Sequence, residues 1–176
     1  MKKYLFGFLL MFIAGNLFAQ EKVPTKSVYL ELGGPGLPYS FNYDFRFDKE
    51  KVDSWGMRVG FGGFAVDGES FFSIPLMANR LMGKGPHYFE IGIGATFFTF
   101  SQQEYDYSGC VNCVTSSDYS FILDVDGSPS IMGTMNFGYR KVPIDGGFMW
   151  KININPIFNN NGFWPLYAGV GFGYAF

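Results

Sequence analysis

The C-terminal stretch Leu166-Tyr-Ala-Gly-Val-Gly-Phe-Gly-Tyr-Ala-Phe176 alternates between two kinds of side chain. One set is apolar or aromatic: Leu166, Ala168, Val170, Phe172, Tyr174 and Phe176. The other set is mostly small: Tyr167, Gly169, Gly171, Gly173 and Ala175. Successive side chains of a strand point to opposite faces. The stretch therefore predicts a β-strand with one apolar face and one face that requires little space.

The same alternation returns in seven segments upstream. They are Ser27–Gly33, Tyr39–Phe47, Trp55–Gly62, Phe72–Arg80, Phe89–Phe97, Ile131–Arg140 and Phe148–Asn155. Pro75 has no amide hydrogen, so we expect a local irregularity in its strand. Gly133 interrupts the apolar face of its own segment. Together the eight segments predict an all-β chain.

The first residues are typical of a secretory signal peptide. Lys2 and Lys3 precede an apolar run from Tyr4 to Ala14, and the small residue Ala19 follows shortly after. A transmembrane helix is the alternative, but the run is shorter than the ~20 residues that a span needs. We expect cleavage after Ala19, which gives a signal peptide at 1–19 and a barrel domain at 20–176.

Composition excludes several classes of protein. Of 176 residues, 20% are aromatic, 24 are Gly and only 16% are charged. The chain is too apolar to be disordered, and with 13 basic against 15 acidic residues it is not expected to bind nucleic acid. A single His excludes a multi-His metal site, so no metal or cofactor is expected.

The faces opposite the apolar ones decide between a membrane barrel and a soluble β-sandwich or lipocalin. They consist mostly of Gly, Ser, Asn and Thr, with one or two charges per strand. A soluble protein would carry many Lys, Glu and Asp on that face. The pattern therefore predicts a monomeric, eight-stranded, antiparallel up-and-down transmembrane β-barrel whose apolar face meets outer-membrane lipid.

Connection lengths predict the orientation, because such barrels have short periplasmic turns and longer external loops. The expected periplasmic turns are Asp48–Ser54, Met82–His87 and Lys141–Gly146. The expected external loops are Gly34–Pro38, Gly63–Glu69, Ser101–Ser130 and Asn159–Gly162.

Aromatic residues near the strand ends predict two interfacial girdles. The periplasmic candidates are Trp55, Tyr88, Tyr139, Phe148 and Phe176. The external candidates are Tyr39, Phe71, Phe97, Phe98, Phe158 and Trp164.

With these features the chain resembles the small eight-stranded outer-membrane β-barrels of Gram-negative bacteria, of the OmpA/OmpX-like kind. The C-terminal strand is similar to that family's assembly signal, which implies that the barrel-assembly machinery recognises Phe172, Tyr174 and Phe176. Leu30-Glu-Leu-Gly-Gly and Ile74-Pro-Leu-Met resemble a subgroup of small barrels without an established activity.

Seven charged residues fall on the inward face. They are Glu31, Asp44, Arg46, Arg58, Glu90, Arg140 and Lys151. An eight-stranded barrel has room inside only for side chains, and an unpaired buried charge is costly. We expect a lumen charge network that forms a structural plug; the alternative is a gated channel or an ion path.

No catalytic site is expected. Some small outer-membrane barrels resemble lipid A-modifying enzymes, which use a His with Ser or Asp at the external rim. The single His of this chain, His87, falls at a periplasmic turn and so on the other side of the membrane.

Cys110 and Cys113 lie in the long external loop. Because the compartment outside the inner membrane is oxidising, we expect a loop disulfide, with free thiols as the alternative. Tyr105, Tyr107 and Tyr119 of the same loop are candidates for a contact surface toward an external protein or surface ligand. The alternative is that they fold back over the mouth of the barrel.

The sequence thus predicts an outer-membrane protein with a structural or surface-interaction role, in membrane integrity, adhesion or recognition through its external loops. The alternative is a narrow porin-like channel for small solutes or ions.

Overall fold

The computed structural model describes residues 23–66, 69–101, 118–120, 124–126 and 128–176. The expected signal peptide at 1–19 and the expected pair of Cys110 and Cys113 lie outside these residues. No helix among the described residues has the length and apolar character needed to cross a membrane.

The described residues form β-strands and one 3-10 turn. The strands are β1 (Lys26–Gly33), β2 (Tyr39–Arg46), β3 (Trp55–Val66), β4 (Glu69–Lys84), β5 (His87–Ser101), β6 (Asp118–Ser120), β7 (Asp124–Asp126), β8 (Ser130–Lys141), β9 (Gly147–Ile154), β10 (Ile157–Asn159), β11 (Gly162–Trp164) and β12 (Ala168–Ala175). The 3-10 turn spans Gly34–Gly36, between β1 and β2.

Eight of these strands close into a ring. Each of β1, β2, β3, β4, β5, β8, β9 and β12 pairs antiparallel with the next, and β12 pairs again with β1. Closure leaves no strand of the ring with a free edge along its paired length. This confirms the predicted barrel of eight antiparallel strands.

The stagger of the ring follows from its register. Tyr174 pairs with Phe148 directly. In the other direction around the ring, each register partner leads to the next. Starting from Tyr174, the successive partners are Val28, Tyr43, Val59, Leu76, Ala95, Gly133 and Phe158. The path thus arrives ten residues beyond Phe148. With a rise of about 3.3 Å per residue and strands about 4.8 Å apart, that stagger tilts the strands by roughly 40°.

Prolines interrupt two strands without shifting their register. The pairing of β3 with β4 lapses beside Pro75, between Val59↔Leu76 and Gly62↔Ser73, while β4 stays paired with β5 at Pro75↔Thr96. This is the irregularity expected at Pro75. Pro156 separates β9 from β10, yet its carbonyl accepts a 2.8 Å hydrogen bond from the amide of Met135, so both pieces run along β8.

Burial is inverted relative to a soluble protein. On β1 the apolar side chains of Val28, Leu30 and Leu32 are exposed, whereas Tyr29 and Glu31 are buried. The same inversion recurs on the other ring strands, since the polar face points into the barrel and the apolar face points out.

The two ends of the barrel differ. One, which we name the turn end, carries both described termini and the connections 47–54, 85–86 and 142–146. At the other, which we name the loop end, residues 34–38 join β1 to β2 and residues 155–167 join β9 to β12. The strands β3 and β5 end there, and β4 and β8 begin there.

For three aromatic residues the predicted position in an interfacial girdle is wrong. Tyr88, Phe71 and Phe98 are 8%, 5% and 2% exposed and point into the barrel. Their neighbours Phe89 and Phe72 point outward instead. Proximity to a strand end suggested a girdle, but the alternation of side chains along the strand decides the face.

Gly94 offers a test of the packing between neighbouring strands. A Cβ on Gly94 would lie 2.2 Å from the carbonyl oxygen of Leu76 and 2.7 Å from the Cα of Met77, and backbone cannot yield easily. We expect Gly94→Val to destabilise the refolded barrel by about 2 kcal/mol in urea titration. The outward-facing control Ile93→Val should stay within about 1 kcal/mol of the parent. An unchanged midpoint for Gly94→Val would contradict this packing.

Candidate functional site: the filled lumen

The structure brings all seven inward charges together in the barrel interior. Their exposed fractions are at most 5% for Glu31, Asp44, Arg46, Arg58, Glu90, Arg140 and Lys151. Alternate positions along their strands place them there, and the strand tilt brings them to similar heights. Three carboxylates thus face four cations in a region closed to solvent.

Glu90 of β5 is the most heavily contacted carboxylate. Arg140 of the neighbouring strand binds it with two nitrogens, Nε at 2.9 Å and Nη2 at 2.8 Å. Lys151 Nζ lies 3.2 Å from Glu90 Oε1, and Asn79 Nδ2 donates to the same oxygen at 3.2 Å. A two-pronged arginine–carboxylate contact of this kind fixes both side chains in orientation as well as charge.

Asp44 extends the network across the lumen. Arg140 reaches it from β8 with Nη1 at 3.2 Å, so one guanidinium joins two carboxylates. Arg46 also pairs with Asp44, and Asn79 donates a 2.6 Å hydrogen bond to it.

Glu31 is the third carboxylate. It pairs with Arg58, whose Nε donates a 2.9 Å hydrogen bond to Asn42. Lys151 Nζ lies 3.5 Å from Glu31, and Asn153 donates to it at 3.2 Å. Because Lys151 also contacts Glu90, it connects the two acidic side chains, and every lumen cation has a carboxylate partner.

Tyr29 is a member of this site that the sequence pattern did not single out. Three cationic groups approach its ring: Arg58 at 5.4 Å, Arg140 at 5.6 Å and Lys151 at 5.3 Å from the centroid. An aromatic face attracts cations through its quadrupole, more strongly when both are desolvated. Tyr29 has the same inward parity on β1 as Ser27 and Glu31, and from this its place in the lumen could have been predicted.

The connection Gly34–Pro38, expected as an external loop, folds into the lumen instead, and Gly34–Leu37 are buried there. Ser73 Oγ donates to the carbonyl of Gly36 at 2.7 Å, and Thr96 Oγ1 donates to that of Pro35 at 2.6 Å. Leu37 adopts φ 70°, a conformation uncommon for a residue with a side chain. The buried carbonyls are thus satisfied by donors from β4 and β5.

Apolar clusters lie on either side of the ionic layer. At the loop end the cluster consists of Leu37, Phe71, Phe98, Met132 and Ile157. At the turn end it consists of Tyr29, Val52, Leu81, Tyr88, Val142, Met149 and Ala175. The inward aromatics Phe71, Phe98 and Tyr88 therefore serve as caps of the lumen. Beside the turn-end cluster, between Arg46 and Val142, a cavity of about 10 Å³ is just large enough for one water molecule.

The described residues do not supply a metal centre. No group of three or more His, Cys, Asp or Glu side chains among them is arranged to hold a metal ion. The arrangement can hold charges in fixed positions and fill the space between the strands.

Comparisons with known proteins bear on the fold. No protein-family model matches the chain, and no match is found among the curated proteins. Among solved structures, the N-terminal β-barrel domain of Pseudomonas aeruginosa OprF is similar, with a TM-score of 0.56 over 89% of this chain and 98% of that domain. The two share 13% sequence identity, so the likeness concerns the fold.

The chain has the same kind of closed eight-stranded antiparallel barrel fold as that domain. In this barrel Phe172, Tyr174 and Phe176 are 46%, 51% and 47% exposed on the outward face. His87 lies at the start of β5, where its Nδ1 is 2.5 Å from the hydroxyl of Tyr139.

The ionic layer of the barrel can be tested at Glu90. Glu90→Gln removes the charge that Arg140 and Lys151 share, so we expect a loss of about 3–5 kcal/mol in the free energy of unfolding. The control Glu50→Gln, at an exposed turn position, should stay within about 0.5 kcal/mol of the parent. Both changes in the free energy of unfolding are measured by denaturant titration of the refolded proteins.

A double-mutant cycle separates the pair from general packing. Glu90→Gln combined with Arg140→Met should be less destabilised than the sum of the two single variants, by at least about 1 kcal/mol. Strict additivity would mean that the two side chains do not interact in the folded barrel.

Proposed function

We propose that this protein is an integral outer-membrane β-barrel with a structural or surface-interaction role. The observation that carries the proposal is the inverted burial: large apolar side chains cover the outside, and the side chains of acidic, basic and amide residues are buried inside. In water such a surface is unfavourable, whereas in a bilayer the apolar face has lipid as its solvent. The closed ring also satisfies its own backbone hydrogen bonds, as a membrane interior requires.

The filled lumen supports a structural role over the narrow porin-like channel. The ionic layer, the buried Gly34–Leu37 segment and the two apolar clusters occupy the space through which a solute would pass. External partners then bind at the loop end, in adhesion or recognition. The outer face of the barrel contacts the surrounding lipid. The protein acts as a monomer in this proposal, because one chain closes the ring.

The proposed role is not catalytic. His87 contacts Tyr139 on the outer face of the turn end, and no described Ser or Cys hydroxyl or thiol is hydrogen-bonded to it. A nucleophile needs a base within hydrogen-bond reach.

Membrane insertion is tested by fractionation and gel electrophoresis. We expect the protein in detergent-extracted outer membranes, migrating faster when unheated than when boiled, because a closed barrel stays compact in detergent. A protein found in the soluble fraction with one mobility would overturn the proposal.

Conductance distinguishes the plug from the channel. In planar bilayers the parent protein should give no reproducible unit steps, because the lumen is filled. Reproducible unit steps would support the channel, and in that case Arg58→Glu should change the ion selectivity.

A further inference from the structure

The outer face of the turn end carries a compact group of cationic and aromatic side chains. We name it the basic patch: Arg80, Lys84, His87 and Lys141, together with Trp55, Tyr139 and Trp150. All seven occupy outward positions on the neighbouring strands β3, β4, β5, β8 and β9. They lie at the same end of the barrel as both described termini.

The register aligns three of these side chains in one row. Lys84 pairs with His87, and His87 pairs with Lys141. Directly opposite residues on antiparallel strands lie about 4.5–5.5 Å apart, so the two lysines lie within roughly 11 Å of each other. The row therefore presents two lysines on the same outward face, one on either side of His87.

The basic patch lacks internal compensation. None of Arg80, Lys84 and Lys141 forms a salt bridge with a carboxylate among the described residues, whereas all four lumen cations do. Among the described residues, the positive charge of the basic patch is therefore not balanced by a carboxylate contact.

Aromatic contacts hold the basic patch in place. The guanidinium of Arg80 lies 5.9 Å from the ring centroid of Trp55, and His87 Nδ1 lies 2.5 Å from the hydroxyl of Tyr139. Tyr139 in turn packs on Trp150 with 5.1 Å between ring centroids. Trp and Tyr are the residues that favour the boundary between lipid chains and headgroups.

Apolar surface continues directly from the basic patch toward the middle of the barrel. Phe89 and Phe137, the next outward residues on β5 and β8, are 50% and 44% exposed. A ligand that fits both parts has an anionic head and long apolar chains.

We propose that the basic patch binds the phosphate of an anionic glycerophospholipid, whose acyl chains lie against Phe89 and Phe137. The proposal rests on the proposed membrane function. Lys84 and Lys141 contact the phosphate from either side of His87, and Arg80 extends the positive surface toward β3. A lipid is favoured over an acidic protein because the basic patch merges with the apolar face of the barrel.

Tryptophan fluorescence tests this site, since Trp55 and Trp150 belong to the basic patch and Trp164 lies at the loop end. A Trp164→Phe parent is refolded into dioleoylphosphatidylcholine vesicles that contain either brominated phosphatidylglycerol or brominated phosphatidylcholine. We expect quenching to show a local preference for phosphatidylglycerol of roughly five-fold or more. Lys84→Gln with Lys141→Gln should reduce that preference to near one.

A matched control removes the same charge elsewhere at the turn end. Lys49→Gln with Lys51→Gln changes two exposed turn lysines that neighbour Asp48 and Glu50, and it should leave the preference unchanged. Equal quenching by the two lipids in the parent would overturn the proposal. So would an unaltered preference in the Lys84/Lys141 variant, or an equal loss in the control.

Heat-modifiable migration of each variant separates the two proposals. If the parent does not migrate as a compact barrel, the proposed membrane function fails. If every variant forms the barrel and the lipid preference is missing, the lipid site alone is wrong. Arg80→Gln provides a second variant, with a partial loss of preference expected.

Discussion

Closure of the sheet between β1 and β12 is the constraint on which the rest of the molecule depends. Eight strands with a ten-residue stagger enclose a narrow interior, which is filled by inward side chains and by the buried Gly34–Leu37 segment. The inward side chains must therefore be complementary in volume. Glycine leaves the space that long inward side chains occupy. A Cβ on Gly171 would lie 2.9 Å from Lys151 Cγ, and one on Gly56 would lie 2.4 Å from the Arg46 guanidinium carbon. The excess of glycine in the composition follows from closure.

The same closure decides which parts of the site can be predicted from the sequence. Alternation along each strand predicts that Glu90 and Arg140 both point inward, and charge predicts that they find partners. Alternation within a strand carries no information on the register between strands, so it cannot predict that Arg140 joins Glu90 on its neighbour to Asp44 across the lumen. The buried Gly34–Leu37 segment was missed for a related reason. Its carbonyls are satisfied by Ser73 and Thr96, which are distant in sequence.

The ionic layer has a consequence for the uniqueness of the fold. Buried ion pairs add little net stability, because desolvation opposes their attraction, but a broken pair is costly. A register slip of two residues keeps every side chain on its face, so the apolar character of the outer face discriminates weakly against it. The same slip would separate Glu90 from Arg140 and break their two-pronged contact in a space bounded by apolar clusters. The ionic network therefore favours one register between strands. The apolar outer face determines only which side chains point outward.

Cationic side chains have carboxylate partners on the inner face of this sheet, whereas the described cations of the basic patch on the outer face do not. Inside, Arg58, Arg140 and Lys151 are matched by carboxylates of the chain itself, because neither water nor ions can compensate them there. Outside, Lys84 and Lys141 flank His87 without a described carboxylate partner, and they lie where the apolar surface ends. A charge in the lumen can be balanced only by the chain, whereas a charge on the outer face can be balanced by whatever surrounds the barrel. For the barrel in a bilayer that we propose, the anions at that boundary are lipid phosphates.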